Sequence, residues 1–98
     1  VSAYYSSQLF QGKNDPRVLK AKDEIQWIFL NPPWVNAFII NKGPNNVLIG
    51  LNQRDNLFVM EPGGTRTVTR TGAEERIHAI FYYCNPHETA ILDVTGTY

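Results

Sequence analysis

Residues 34–52 have the sequence WVNAFIINKGPNNVLIGLN, and this stretch decides the fold class. Two runs rich in Val, Ile and Phe, Trp34–Asn41 and Val47–Asn52, flank a cluster of Lys, Gly, Pro and Asn. β-Branched and aromatic residues favour strands, whereas Gly, Pro and Asn favour turns. The stretch therefore predicts two β-strands joined by a turn at residues 42–46.

Short apolar runs separated by turn residues continue on both sides of this stretch. We predict further strands at Ile25–Leu30, Leu57–Glu61, Thr65–Thr71, Arg76–Cys84 and Thr89–Thr97, and a short strand or single helical turn at Leu19–Asp23. Asn31-Pro32-Pro33 is expected to end its strand, because proline has no N–H for a ladder. Alternating Thr with Arg or Val makes Thr65–Thr71 an exposed or edge strand.

The spacing of these strands predicts the architecture. About six to eight strands lie roughly ten residues apart, and no helix is expected to exceed a turn or two. The sequence therefore predicts an all-β chain that forms an antiparallel, jelly-roll-like β-sandwich. Its 98 residues suit one domain, for which we expect an extended N-terminal arm at residues 1–15 and a sandwich at residues 16–98.

The N-terminal arm is rich in aromatic residues. Tyr4, Tyr5, Leu9 and Phe10 are scattered among polar residues without a clear period. Such a segment does not bury enough apolar surface to fold alone, yet it is too aromatic for a solvated tail. The arm is expected to lie either on its own sandwich or on a neighbouring subunit, where these four side chains would be interface anchors.

The strand Arg76–Cys84 is apolar on both faces. We assign Ile77, Ala79, Phe81 and Tyr83 to one face, and Ile80 and Tyr82 to the other. A strand with one solvent-exposed face alternates apolar and polar residues. Because this strand is apolar on both faces, we expect its outer face to be covered as well. In one interpretation, loops and the N-terminal arm cover this outer face. In the other, another subunit packs against it. Ile80, Tyr82 and Trp34 are accordingly candidate interface residues.

Charge and hydropathy exclude two classes of partner. Nine Lys and Arg balance nine Asp and Glu, whereas a domain that grips nucleic acid by its phosphates is basic. The set Arg54, Arg66, Arg70 and Arg76 could form a basic patch, but the zero net charge argues against nucleic acid. No apolar run approaches the roughly 18 residues of a membrane-spanning helix. We expect neither a nucleic-acid nor a membrane partner.

No set of residues points to catalysis or to a cofactor. Cys84 and His87 have Cys-x-x-His spacing, which offers two of the four ligands of a zinc site. The single cysteine ends an apolar strand, so we expect it to be a small buried residue. Glu74 and Glu75 are adjacent in a turn and do not form a catalytic acid pair. The chain is therefore expected to be no enzyme and to hold no metal or cofactor.

Three motifs suggest a family. The stretch Phe38–Asn52 (FIINKGPNNVLIGLN), the Pro62-Gly63 turn and the ending Ala90-x-Leu92-x-Val94-x-Gly96 resemble small β-sandwich virion proteins. Phages and archaeal viruses carry such proteins as capsid decoration, cement, turret or tail-surface modules. The resemblance covers about residues 35–96 and implies a non-catalytic structural role on a virion.

The expected function follows from the resemblance and the apolar faces. It is a structural assembly protein of a virion, which forms homo-oligomers and contacts other subunits of a large assembly. One alternative is a monomeric carbohydrate-binding module that uses Trp34 and Trp27 as stacking platforms. Another is a subunit of a filament at the cell surface.

Overall fold

The computed structural model describes residues 13–70 and 72–98, which form a β-sandwich of two four-stranded sheets. The strands are β1 (Asn14–Ala21), β2 (Gln26–Trp34), β3 (Asn36–Pro44), β4 (Val47–Leu51), β5 (Leu57–Met60), β6 (Thr65–Thr69), β7 (Ile77–Tyr83) and β8 (Ala90–Thr97). Sheet A has the order β1-β8-β3-β6 and sheet B the order β2-β7-β4-β5. All pairs are antiparallel. The predicted all-β sandwich is confirmed.

Apolar side chains fill the space between the two sheets. The largest completely enclosed ones are Trp34, Ile39, Ile49, Ile77, Ile80 and Leu92. The predicted inward alternation of β8 is confirmed, because Ala90, Leu92 and Val94 are all buried. The predicted burial of Cys84 is confirmed as well. A continuous apolar core of this kind provides the main favourable free energy of folding.

Asn41 is the one polar side chain fully buried among the described residues. Its Nδ2 donates to the backbone carbonyls of Asn45 and Met60, both at 2.9 Å, and its Oδ1 accepts from the N–H of Gly43 at 2.8 Å. The side chain thereby ties the turn after β3 to the end of β5. A buried amide is tolerated when its hydrogen bonds are made in this way.

The two prolines do not end β2, so that prediction is wrong. β2 continues from Gln26 to Trp34; its ladder with β7 is regular as far as Phe29 and resumes at Trp34. The interruption is tolerated because β2 is an edge strand and needs a partner on one side only. β3 similarly runs on to Pro44, inside the predicted turn, with a register shift between Asn41 and Gly43.

The two faces of β7 are reversed relative to the prediction over residues 80–83, whereas Ile77 and Ala79 are buried as well. Ile80 is completely buried and Tyr82 nearly so, whereas Phe81 and Tyr83 point outward and are half-buried. Register explains the reversal, because Tyr82 lies opposite the core residue Ile49 of β4. Directly opposed residues in a sheet share a face. Ile80 and Tyr82 therefore cannot be surface contacts of the folded chain.

The edges of sheet A differ in character. β6 is an edge strand with exposed threonines, as predicted. β1 begins at Asn14, within the segment assigned to the arm, and pairs with β8 along its whole length. The remaining arm residues, with Tyr4, Tyr5, Leu9 and Phe10, lie outside the described residues. In the part of the chain that is described, no helix is long and apolar enough to cross a membrane.

Candidate functional site

A cleft lies between the edge strands of the two sheets, β5 of sheet B and β6 of sheet A. The turn at residues 61–64 joins these strands, and Leu57–Met60 and Thr65–Thr69 form the two sides. The cleft has a volume of about 250 Å³. Its lining consists of Leu51, Asn56, Leu57, Phe58, Arg66, Val68 and Arg70.

Strand register places the two arginines of this lining on the face of β6 that looks toward sheet B, where Arg66 is exposed and Arg70 half-buried at the edge of the sandwich. Arg66 lies opposite Ile39 and Val68 opposite Ala37, and both partners are completely buried. Because side chains alternate along a strand, Arg70 continues the same face beyond the end of β6. The sequence shows that Arg66 and Arg70 share a strand face, but not that this face looks into the sandwich.

An aromatic ring holds one of the two guanidinium groups. Cζ of Arg66 lies 4.0 Å from the ring centroid of Phe58, which faces inward from β5 opposite Ile49. This is cation–π geometry, in which the ring fixes the guanidinium while its N–H groups remain free to donate. Among the described residues, neither Arg66 nor Arg70 takes part in a salt bridge.

A second cavity of about 420 Å³ adjoins the cleft and shares Leu51, Asn56 and Arg70 with it. Its other lining residues are Asn52, Gln53, Glu74, Glu75 and His78. Asn52 anchors the loop that carries Asn56: its Nδ2 donates to the carbonyl of Arg76 at 2.8 Å, and its Oδ1 accepts from the N–H of His78 at 2.6 Å. The loop between β4 and β5 is thus tied to β7.

Strand β1, at the opposite edge of sheet A, carries an ion pair that contacts the buried Trp34. Nε of Arg17 lies 2.9 Å from Oδ1 of Asp15, and Nε1 of Trp34 donates to Oδ2 of Asp15 at 3.3 Å. The hydrogen bonds from Arg17, with its charge and the indole, hold the pKa of Asp15 below its usual 3.8. This carboxylate is satisfied by its own chain, so the pair is structural.

The cysteine and the histidine that follows it do not form a reactive pair. Burial raises the pKa of the Cys84 thiol, and the nearby carboxylates of Glu88 and Asp23 add to the effect. A thiol with a raised pKa is a poor nucleophile and a poor metal ligand. His87 is exposed in the turn beyond β7, where its backbone N–H donates to Asp23.

The candidate interface residues that the structure describes lie in the core. Trp34 and Ile80 have no exposed surface and Tyr82 has 6%. Trp34 therefore offers no platform for stacking on a sugar ring. Phe58 and Asn56, which line the cleft, were not singled out by the sequence, because no local pattern distinguishes them from other strand and turn residues.

Solved structures with a similar architecture include a cupin-2 domain protein, a protein from Neisseria meningitidis and the iron protein HppE. A cupin-2 domain protein from Shewanella frigidimarina matches 100% of this chain and 94% of its own, with a TM-score of 0.54 and 9% identity. Protein NMB1881 from Neisseria meningitidis matches 89% and 76%, with a TM-score of 0.57 and 7% identity. An iron(II) form of HppE in complex with substrate matches 85% of this chain but 45% of its own, with a TM-score of 0.59 and 11% identity.

These likenesses show a cupin-like fold. No protein-family model matches the chain, and no curated protein matches it significantly. The expected function as a virion structural protein is wrong, because the structural neighbours are a cupin-2 domain protein and an iron enzyme rather than capsid proteins. The expected descriptions as a virion component and as capsid decoration are wrong for the same reason, whereas the predicted β-sandwich is confirmed.

The described residues do not fit a metal ion of the kind that the HppE structure holds. No group of three or more His, Cys, Asp or Glu side chains comes together in residues 13–70 and 72–98. The core of the sandwich carries mainly Ile, Leu, Val and Ala, together with Trp34, Met60, Tyr82 and Cys84. Aliphatic side chains offer no ligand atoms, so the described part of the core does not fit such a metal ion.

Proposed function

We propose that the chain is a cupin-fold protein that binds a small organic anion, a carboxylate or a phosphate ester, in the cleft between β5 and β6. The observation that carries the proposal is the Arg66 guanidinium, held against Phe58 in a cleft that Arg70 also lines. A guanidinium presents donors in a planar fork that matches carboxylate and phosphate oxygens. Both arginines are without an acidic partner among the described residues.

The size and lining of the cleft set the class of ligand. A volume of about 250 Å³ is slightly below the roughly 300–1,000 Å³ of drug-sized sites, so the ligand is small. Leu51, Phe58 and Val68 provide apolar contact surface beside the two cations, and Asn56 adds an amide. This combination suits a molecule with one anionic end and a short apolar body.

The proposed role is binding rather than catalysis. The described lining of the cleft contains no carboxylate, imidazole or thiol that could move a proton or attack a substrate. Arginine stays protonated in proteins and serves to hold charge. The competing interpretation is that inward arginines on an edge strand merely discourage pairing with other strands, a recognised role for such charges.

Titration of the full chain followed by amide NMR separates the two interpretations. The probes are inorganic phosphate, glycerol phosphate, a short-chain carboxylate and the neutral amide of that carboxylate. We expect saturable shifts at Arg66, Val68 and Arg70 with at least one anion and none with the amide. Comparison of the phosphate and carboxylate arms identifies the anionic group.

Matched variants assign the binding to the cleft. Arg66→Gln and Arg70→Gln should each weaken binding by about tenfold or more, since a hydrogen bond to a charged group contributes about 1.5–3 kcal/mol. Arg54→Gln alters an exposed arginine that does not line the cleft, and it should leave affinity unchanged. Shifts that never saturate, or equal losses in all three variants, would refute the proposal.

A further inference from the structure

The outer face of sheet B is an apolar surface built from all four strands. Trp27 and Phe29 project from β2, and Trp27 lies opposite Phe81 of β7 with ring centroids 6.5 Å apart. Leu48 of β4 lies between its two neighbours, opposite Tyr83 on one side and Val59 on the other. Together these six side chains form the sheet B patch.

The side chains of the sheet B patch that lie on its edge strands are strongly exposed. Trp27 is 50% exposed, Phe29 70% and Val59 57%. No charged residue occupies a strand position on this face. The largest apolar patch on a typical soluble monomer is about 300–600 Å² and is often a functional surface.

We infer that the sheet B patch is the interface of a homodimer, in which two copies of the chain pack face to face about a two-fold axis. Strands about 4.8 Å apart and roughly five residues long give about 300 Å² of projected area per copy. Because side chains project from the sheet, the accessible area exceeds the projected area. Two copies would together bury on the order of 1,000 Å² of accessible surface, the lower bound for a specific interface. A micromolar dissociation constant is expected.

A second copy suits this surface in charge as well as in shape. The chain has a net charge of zero, so two copies approach without net repulsion. A patch without charges offers nothing for an acidic or basic partner to recognise, whereas it is its own apolar complement. Two-fold packing places identical aromatic rows together, as in an isologous interface.

Analytical ultracentrifugation of the full chain from about 1 µM to about 1 mM tests the inference. We expect a monomer–dimer equilibrium that Phe29→Lys shifts to monomer, with a dissociation constant raised at least about 100-fold, since each substitution occurs twice in the dimer. Acrylamide quenching gives a second readout. It should fall with rising concentration, because Trp27 is the exposed tryptophan and Trp34 is buried.

Phe38→Lys is the matched control on the opposite sheet. Phe38 is 42% exposed on the outer face of sheet A, where threonines Thr67 and Thr95 flank it. Phe38→Lys should leave the dimer intact, and circular dichroism should show both variants folded. The inference is overturned by a wild-type monomer at every concentration, by a dimer that Phe29→Lys leaves unchanged, or by one that Phe38→Lys dissociates. A monomer that dimerises only after removal of residues 1–12 would likewise overturn it.

Discussion

A methyl group added at Gly96 should disrupt the core around Trp34. Gly96 faces inward from β8, opposite Ala37, and the indole of Trp34 lies directly over it. A Cβ at this position would overlap Cδ2, Cε2 and Cε3 of that indole. Trp34 has no exposed surface, so the ring cannot move aside without displacing its neighbours.

The cost of Gly96→Ala follows from what the indole loses. Overpacking a well-filled core costs typically about 1–3 kcal/mol, and complete loss of a buried Trp costs about 3–5 kcal/mol. The backbone atoms beneath the ring are fixed by pairing with β3, so neither the ring nor the strand can relax fully. We therefore expect Gly96→Ala to lower the free energy of unfolding by about 3 kcal/mol, where the two ranges meet. Displacement would also break the hydrogen bond from Trp34 to Asp15. For a domain of this size the melting temperature should fall by about 12–24 °C.

Urea unfolding followed by tryptophan fluorescence measures this cost. Gly72→Ala is the control, because its added Cβ would meet Glu75 at 3.4 Å, an ordinary contact, and its φ of −71° suits any residue. It should change the free energy of unfolding by less than about 0.5 kcal/mol. Combining Gly96→Ala with Trp34→Ala tests the cause, since the second substitution removes the overlap.

The double variant should recover at least about 2 kcal/mol relative to additivity. Circular dichroism should follow its unfolding, because one of the two tryptophans is then absent. A Gly96→Ala chain as stable as the wild type, or full additivity with Trp34→Ala, would refute the proposed contact between this glycine and the indole.

Two further predictions concern stability. Because the pKa of Asp15 is lowered in the folded chain, its contribution is complete above the unfolded value near 3.9 and is lost as pH falls through the folded value. Urea midpoints between pH 6 and pH 2 should therefore drop below about pH 4, and less steeply in Asp15→Asn or Arg17→Gln; equal slopes in all three would contradict this. Asn41→Ala should cost about 2–4 kcal/mol in the same urea assay, because it leaves buried backbone groups without partners. Asn45→Ala, which removes one exposed hydrogen bond, should cost less than about 1 kcal/mol, and similar costs for both variants would count against the buried network.

Local patterns in the sequence predict where the strands lie well, but they predict which face of a strand is buried only where apolar and polar residues alternate. Alternation in β8 is clean, so the inward positions of Leu92 and Val94 follow directly from the sequence. In β7 nearly every position is apolar, and a period of two then carries no information about which face is buried. The pairing of Tyr82 with Ile49 settles the question, and that contact is distant in sequence.

The candidate cleft could be predicted only in part. The spacing of Arg66 and Arg70 places both on one side of a strand, which the sequence shows. Phe58 belongs to the other sheet, and its contact with Arg66 depends on how the two sheets stack. Such a juxtaposition has no local signature, because the turn at residues 61–64 brings the strands together whatever their side chains.

The prolines of β2 have a consequence for how the chain avoids uncontrolled aggregation. β2 is a free edge of sheet B, and it carries the exposed rings of Trp27 and Phe29. An exposed apolar edge is ordinarily a template for the stacked strands of amyloid. Pro32 and Pro33 have no N–H groups, and because N–H groups alternate between the two sides of a strand, one of these missing donors belongs to the free edge, so an incoming strand cannot pair along its whole length. The aromatic rings can then be presented at the surface of each copy, for a second copy to cover, without β2 serving as the seed of a fibril.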